Sequence, residues 1–242
     1  GVLPMVHPLE AFNLIEEVMC ATLHNHTRVA KGEMVAATRA IPLVMPRASI
    51  ARASAVARQH GPMLSVAPMR SARAGLVVTG NEVYHGLVVD RFVPILTEKL
   101  AALDSAVIAT AFMPDDAERI ADAIRGQIDQ GCDLLLLTAG MSVDPDDVTR
   151  QGIRLAGATE MHYGAAVLPG AMLLAAYIGD IPLLGVPACG LHHPATALDL
   201  ILPRVLAGER IGKAALAFLG HGGLCRHCPT CAFPHCSFGK GS

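Results

Sequence analysis

From about residue 72 onward, apolar positions fall into short unbroken runs separated by stretches where they recur at every third or fourth position. The runs at 75–79, 105–112 and 133–138 are apolar on nearly every residue, as in strands covered on both faces. Between the first two, residues 90–103 place Phe92, Ile95, Leu96 and Leu100 at helical spacing behind Asp90. Pro114 opens a second helix through Gln130, because proline is tolerated in a first turn, and Asp115 and Asp116 complement its positive end. Gly131 caps it. A helix from about 147 to 155, a hairpin of strands at 173–177 and 181–186, and a last helix from about 193 to 206 complete the series. This alternation predicts an open, mainly parallel sheet with helices on both faces.

The first 71 residues lack that rhythm. Short strands are expected at 21–23 and 34–38 around the turn Lys31-Gly32-Glu33, with a third at 41–45 that Pro42 confines to an edge. Pro46 opens a helix to about His60, Gly61-Pro62 ends it, and 63–67 is a further candidate strand. His24, Asn25 and His26 lie at a hairpin tip, where polar residues ordinarily face water. From about 213 the chain is rich in Gly and Cys, with no aliphatic side chain larger than Ala after Leu224, so this segment cannot build a core of its own. Three regions follow: a small, β-rich α+β region at 1–71, an α/β domain at 72–212 and a Cys-rich tail at 213–242.

Composition narrows the function. With 242 residues and 52% hydrophobic content, the chain can bury a sizeable core and is not disordered. A net charge of −2 argues against an electrostatic nucleic-acid binder. The most apolar stretch, 164–188, is long enough to span a bilayer, but Pro169, Gly170, Gly179, Asp180, Pro182 and Pro187 divide it into strand-sized pieces, so no membrane association is expected. The chain begins at Gly1 without a basic segment followed by an apolar one, and no signal peptide is expected. Seven cysteines, four of them crowded into 225–236, favour metal binding in a reducing, cytoplasmic setting over a disulfide framework.

Ligands of open α/β sheets lie beyond the carboxyl ends of the strands. Two loops leave such ends. One reads Thr79-Gly80-Asn81-Glu82-Val83-Tyr84-His85-Gly86 and runs on to Asp90; the other reads Thr138-Ala139-Gly140-Met141-Ser142-Val143-Asp144-Pro145-Asp146-Asp147-Val148-Thr149. Gly80, Gly86 and Gly140 let the backbone approach a ligand, and Thr79, Thr138 and Ser142 offer hydroxyls. Amides near the next helix start form an anion site, and Asp144, Asp146 and Asp147 offer hard oxygens to a divalent cation. Together these groups suit a phosphorylated substrate bridged by Mg²⁺. The same residues also serve as turn formers, and Asp147 as an N-cap.

These segments resemble the molybdopterin-binding domain family. Thr79-Gly80-Asn81-Glu82 with Gly86 and Asp90 is similar to its T-G-[DN]-E…G…D segment. Thr138-Ala139-Gly140-Met141-Ser142…Asp147-Val148-Thr149 is similar to its S-G-G-x-S-x-G-x-x-D-x-T loop, and Leu168-Pro169-Gly170 and Gly185-Val186-Pro187 to its P-G and G-[LV]-P-G segments. The resemblance spans about 72–210. It implies a three-layer α/β/α domain that binds molybdopterin or adenylylated molybdopterin, a magnesium-assisted step of adenylyl- or molybdo-transferase type, and a homo-oligomer. It also implies roles: Asp147, Glu82 and Asp90 as catalytic candidates, and Thr79, Gly80, Asn81, Gly86, Thr138, Gly140, Ser142, Asp144, Pro169, Gly170 and Pro187 as the pterin site. Departures are specific. Ala139 replaces the first loop glycine, Asp144 puts a negative charge where an anion is expected, and Ala188-Cys189-Gly190 replaces the usual G-N-P. The chain thus resembles specialised, stand-alone relatives that end in a Cys-rich tail.

In that tail, Cys225, Cys228, Cys231 and Cys236 have the spacing C-x2-C-x2-C-x4-C. Four soft ligands suit zinc or an iron–sulfur cluster. Two consecutive C-x2-C steps are similar to the ferredoxin-type run, whereas His221, His227 and His235 as substitute ligands favour zinc. Cys189, with His192 and His193 behind it, is a conceivable nucleophile outside any G-x-S-x-G elbow, and His192-His193-Pro194 reads better as a helix start. Two functions are therefore weighed: a molybdopterin-binding protein of molybdenum-cofactor biosynthesis or delivery, and a non-catalytic metal-tail or redox module on an altered pterin domain that docks to a molybdoenzyme or maturation protein.

Overall fold

A computed structural model describes residues 6–59, 62–138 and 148–241. The chain divides into two compact units, one up to Met69 and one over Arg70–Gly241. In the first unit, helix α1 (Val6–Asn13) precedes an antiparallel pair, β1 (Val18–Thr22) and β2 (Ala36–Ala40), and helix α2 (Arg47–Gln59) follows. The strand pair forms, with β1 displaced toward the N-terminus and β2 toward the C-terminus of the expected segments. Asn13 anchors β1, its side chain donating to Cys20 O and accepting from Cys20 N. Helix α1 was not anticipated. The expected strand at 41–45 does not form: after Ile41 N donates to Glu17 O at 2.8 Å the ladder stops, since Pro42 has no N–H, and Leu43 and Val44 face solvent. Residues 63–67 form no strand beyond a single bridge residue at Val66.

The second unit carries β3 (Arg73–Thr79), the short helix α3 (Asn81–Tyr84), α4 (Phe92–Ala101), β4 (Ala106–Met113), α5 (Ala117–Asp129), β5 (Leu134–Thr138) and α6 (Val148–Leu155). It continues with β6 (Glu160–Tyr163), β7 (Leu174–Ile178), β8 (Ile181–Val186), α7 (Ala197–Leu206) and α8 (Lys213–Phe218). The six strands form one sheet in the order β4-β3-β5-β8-β7-β6. The first four run parallel, and the other two are antiparallel to their neighbours. The mostly parallel α/β architecture thus matches the expectation. Strand β6 is an addition; it is half-exposed at the sheet edge and lacks the apolar run that marks the inner strands.

Side chains alternate across a strand, and both faces are covered. Val77, Leu135, Leu137, Leu174 and Leu183 pack with Ile120 and Ile124 of α5 and Ile153 of α6. On the opposite face, Leu76, Val78, Leu136, Leu184 and Val186 are equally buried, as are Leu96 and Leu100 of α4 and Ile201 and Leu202 of α7. Each such side chain stabilises the fold by roughly 1.5–3 kcal/mol relative to exposure. Helix α5 starts at Ala117 rather than Pro114 because Asp116 caps it, its Oδ1 accepting from Glu118 N and Arg119 N at 3.0 Å. Helix α7 starts at Ala197, four residues after the expected start at His193. Thr196 and Asp199 form a capping box there, with Asp199 Oδ2 accepting from Thr196 N at 2.7 Å. Lys99 of α4 pairs with Asp199 and donates to Pro194 O at 2.8 Å. The apolar stretch 164–188 forms the β7–β8 hairpin and its approach, and no helix among the described residues is long and apolar enough to cross a membrane.

Candidate functional site

The chain leaves β3 toward β4 on one side of the sheet, and leaves β5 toward the β8 side. Adjacent parallel strands whose exits diverge create a crevice at their carboxyl ends, the usual ligand position in open α/β sheets. Val78 and Thr138 are paired in register there. Thr79 Oγ1, fully buried, donates to Thr138 O at 3.0 Å and lies 3.3 Å from Thr149 Oγ1 at the start of α6. Thr138 Oγ1 is also buried and has no hydrogen-bond partner among the described residues. The Thr79 and Thr149 hydroxyls therefore meet at the switch point on one face of the sheet, while the Thr138 side chain lies on the other face, with Val78 and Val186. Thr149 closes the motif quoted above, which gave it no role in the site.

The loop after β3 is set by two devices. Gly80 takes φ +131°, a left-handed backbone that favours glycine. Asn81 and Asp115 then pair reciprocally: Asn81 N donates to Asp115 Oδ2, and Asp115 N to Asn81 Oδ1, both at 3.2 Å. Asp115 thus ties this loop to the one after β4 instead of serving the α5 dipole. Glu82 and Gly86 are exposed on and just past α3. Tyr84 faces Arg119 of α5, whose guanidinium donates to the Tyr84 hydroxyl at 2.7 Å. Asp90 is half-buried, and its two carboxylate oxygens accept from Phe92 N at 3.1 Å and Val93 N at 2.9 Å. Its geometry is that of a cap on α4. Gly140, Ser142, Asp144 and Asp147 lie outside the described residues.

The remaining motif segments reach the same edge of the sheet. Strand β8 ends there at Val186, followed by buried Pro187 and a 3₁₀ turn over Ala188–Leu191. Strand β7 runs opposite to β8, pairing Leu174 with Gly185, so the segment carrying Pro169 and Gly170 enters at that edge too. Gly170 has φ +114°, and a Cβ there would lie 2.5 Å from Ala197 N. Only glycine lets this turn seat against the start of α7, where Ala197 N donates to Pro169 O at 3.1 Å. Thr79, Thr138, Pro187 and Gly170 thus share one edge of one sheet, in the spatial order β3, β5, β8, β7.

Cys189 lies in the turn after β8, and burial pushes its thiol pKa above the ordinary value. That favours the protonated thiol over a nucleophilic thiolate. His193 turns instead toward the tail, its ring centroid 5.1 Å from that of His227. The tail docks on the body: Leu168 N donates to Gly223 O and Cys225 N to Leu168 O, both at 2.8 Å, in a parallel bridge. A Cβ at Gly223 would sit 2.3 Å from Ala166 O, so this approach also requires glycine. Cys225, Cys228, Cys231 and Cys236 are all free and line one cleft of about 220 Å³.

A family model described as "probable molybdopterin binding domain" matches residues 75–231. A CinA-like protein of Thermosipho melanesiensis is 31% identical over 78 residues, covering 32% of this chain and 19% of that protein. A CinA-like protein of Mycobacterium tuberculosis is 35% identical over 79 residues, covering 33% of this chain and 18% of that protein. The match thus spans about a fifth of the length of these curated relatives. The solved structure of the molybdopterin biosynthesis enzyme MoaB from Thermus thermophilus superposes with a TM-score of 0.47 at 22% identity, covering 57% of this chain and 98% of that one.

Proposed function

Because the chain belongs to the molybdopterin-binding domain family, we propose that the carboxyl edge at β3 and β5 binds the phosphate of molybdopterin or adenylylated molybdopterin, and that the protein handles this pterin in molybdenum-cofactor biosynthesis or delivery. The observation that carries this reading is the Thr138 hydroxyl at the carboxyl end of β5, buried and without a partner among the described residues, beside Thr79, whose hydroxyl holds Thr138 O and lies against Thr149 Oγ1. An unmatched buried hydroxyl is costly. A phosphate oxygen, or the loop that cradles it, is a group this hydroxyl can serve. In this reading Ser142 and the amides around it hold the phosphate, and Asp144 and Asp147 offer the oxygens that a bridging Mg²⁺ takes. The cation offsets the repulsion between Asp144 and the phosphate. In this reading Glu82, exposed on the loop after β3, is free to serve the rest of the ligand.

Calorimetric titration with molybdopterin, with and without Mg²⁺, tests this reading. Saturable binding is expected. Ser142→Ala is expected to weaken it roughly tenfold or more, the loss of one hydrogen bond to a charged group, and Asp147→Ala to remove its Mg²⁺ dependence. Absence of binding with Mg²⁺ present, or binding that neither substitution changes, would contradict the reading.

A further inference from the structure

The tail carries chemistry that pterin binding does not use. Its cysteine run is pinned at both ends by contacts that involve no thiol side chain. On one side is the bridge of Gly223 and Cys225 to Leu168. On the other, Gly239 N donates to Gly222 O at 2.9 Å, and Phe238 is buried with its ring 6.2 Å from that of Phe233. Between these anchors Cys228 and Cys231 are exposed and Cys225 and Cys236 half-buried, and all four border one cleft. His193 of the body and His227 of the tail line the same cleft. The segment between the anchors buries little apolar surface, so a ligand that cross-links it supplies order that packing does not.

The donor type and spacing bear on which centre these thiols suit. A single zinc ion needs every donor at about 2.0–2.3 Å from one point. Among the described residues, no three Cys, His, Asp or Glu side chains stand converged on a metal of any kind, so a bound centre would have to draw the thiols together. The thiols stand around a cleft of about 220 Å³ instead. A cluster takes its thiolates on separate iron atoms and so accepts donors spread around a volume, and the C-x2-C-x2-C run is the form in which ferredoxin-type chains supply them. We propose that Cys225, Cys228, Cys231 and Cys236 ligate an iron–sulfur cluster seated in this cleft, beside the Leu168–Gly170 turn that Cys225 contacts. Cluster occupancy then holds that turn in place, because Cys225 is joined to Leu168 and Pro169 to the start of α7.

The test is elemental analysis and visible absorption of the full chain, purified without oxygen and, in a second sample, reconstituted with ferrous iron and sulfide. Iron and acid-labile sulfide in equal amounts are expected, with the charge-transfer absorption of a cluster. Cys228→Ser/Cys231→Ser is expected to abolish both signals, while Cys20→Ser, in the other unit, retains them. Both substituted tail thiols are exposed, so the double variant should keep its circular-dichroism spectrum and thermal midpoint under metal-free conditions. The proposal is overturned by stoichiometric zinc without iron, by disulfides among the four cysteines under anaerobic purification, by no iron in either sample, or by a cluster that survives the double substitution. These readouts do not depend on pterin binding.

Discussion

In β5, Leu134, Leu135, Leu136 and Leu137 are wholly buried, whereas among the described residues after Gly223 only Phe238 is buried. The two regions belong to one compact unit, yet different forces order them. The sheet is held by apolar area removed from water on both faces. The tail is held by backbone hydrogen bonds, close approaches that only glycine allows and one aromatic anchor. Burial on the scale of β5 makes opening of the sheet a global event, while the tail is drawn from the low-stability end of the molecule. The tail is therefore the region whose order a bound group changes most.

The largest expected effect separates the two directly. Leu136→Ala should destabilise the domain by about 2–5 kcal/mol, the usual cost of a buried Leu→Ala cavity, seen as a lower denaturant midpoint. Phe238→Ala should leave that midpoint much less changed and instead speed proteolytic cleavage within residues 225–238. A common loss of both would show that sheet and tail unfold together. Next is Gly170→Ala, which forces a Cβ against Ala197 N at a left-handed φ. It should cost about 1–3 kcal/mol, the range for residues held in unfavourable backbone regions, and should loosen the tail as well, since Leu168 is its docking point.

The smallest effect concerns pH. Glu160 on edge strand β6 accepts from Arg210, and this hydrogen bond holds its carboxyl below the ordinary value. A depressed carboxylate stabilises the fold above its unfolded value and loses that contribution as pH falls through the folded one. The thermal midpoint of the natural chain should exceed that of Arg210→Ala slightly at neutral pH, and the difference should shrink on acidification. A constant difference would show that Arg210 acts through its packing over the Tyr177 ring rather than through charge.

Most of the sheet was legible because its determinants are local in sequence. The four leucines of β5 and the Phe92-Leu96-Leu100 stripe of α4 announce their burial by spacing alone. The segments around Thr79 and Thr138 were legible as loops after strands, and strand order then placed them side by side. Other features were not legible, since they arise between distant segments. The Asn81–Asp115 pairing crosses two loops, the Thr79–Thr149 contact joins β3 to α6 across 70 residues, and the seat of Gly170 on Ala197 depends on β7 reversing direction. The α7 start was misplaced because His192-His193-Pro194 looks like a beginning, while the Thr196–Asp199 capping box lies just beyond it. In the tail, spacing named the four cysteines without choosing between metals; that they border one cleft is legible only in the fold.

The central claim is positional: a phosphorylated pterin engages the carboxyl edge where β3 and β5 part. Hydrogen–deuterium exchange of the full chain with and without molybdopterin, in the presence of Mg²⁺, tests it most directly. Protection concentrated in residues 79–86 and 138–149 is the predicted result. Protection confined to the Gly179-Asp180 turn at the opposite edge, or to residues 225–236 alone, would contradict it.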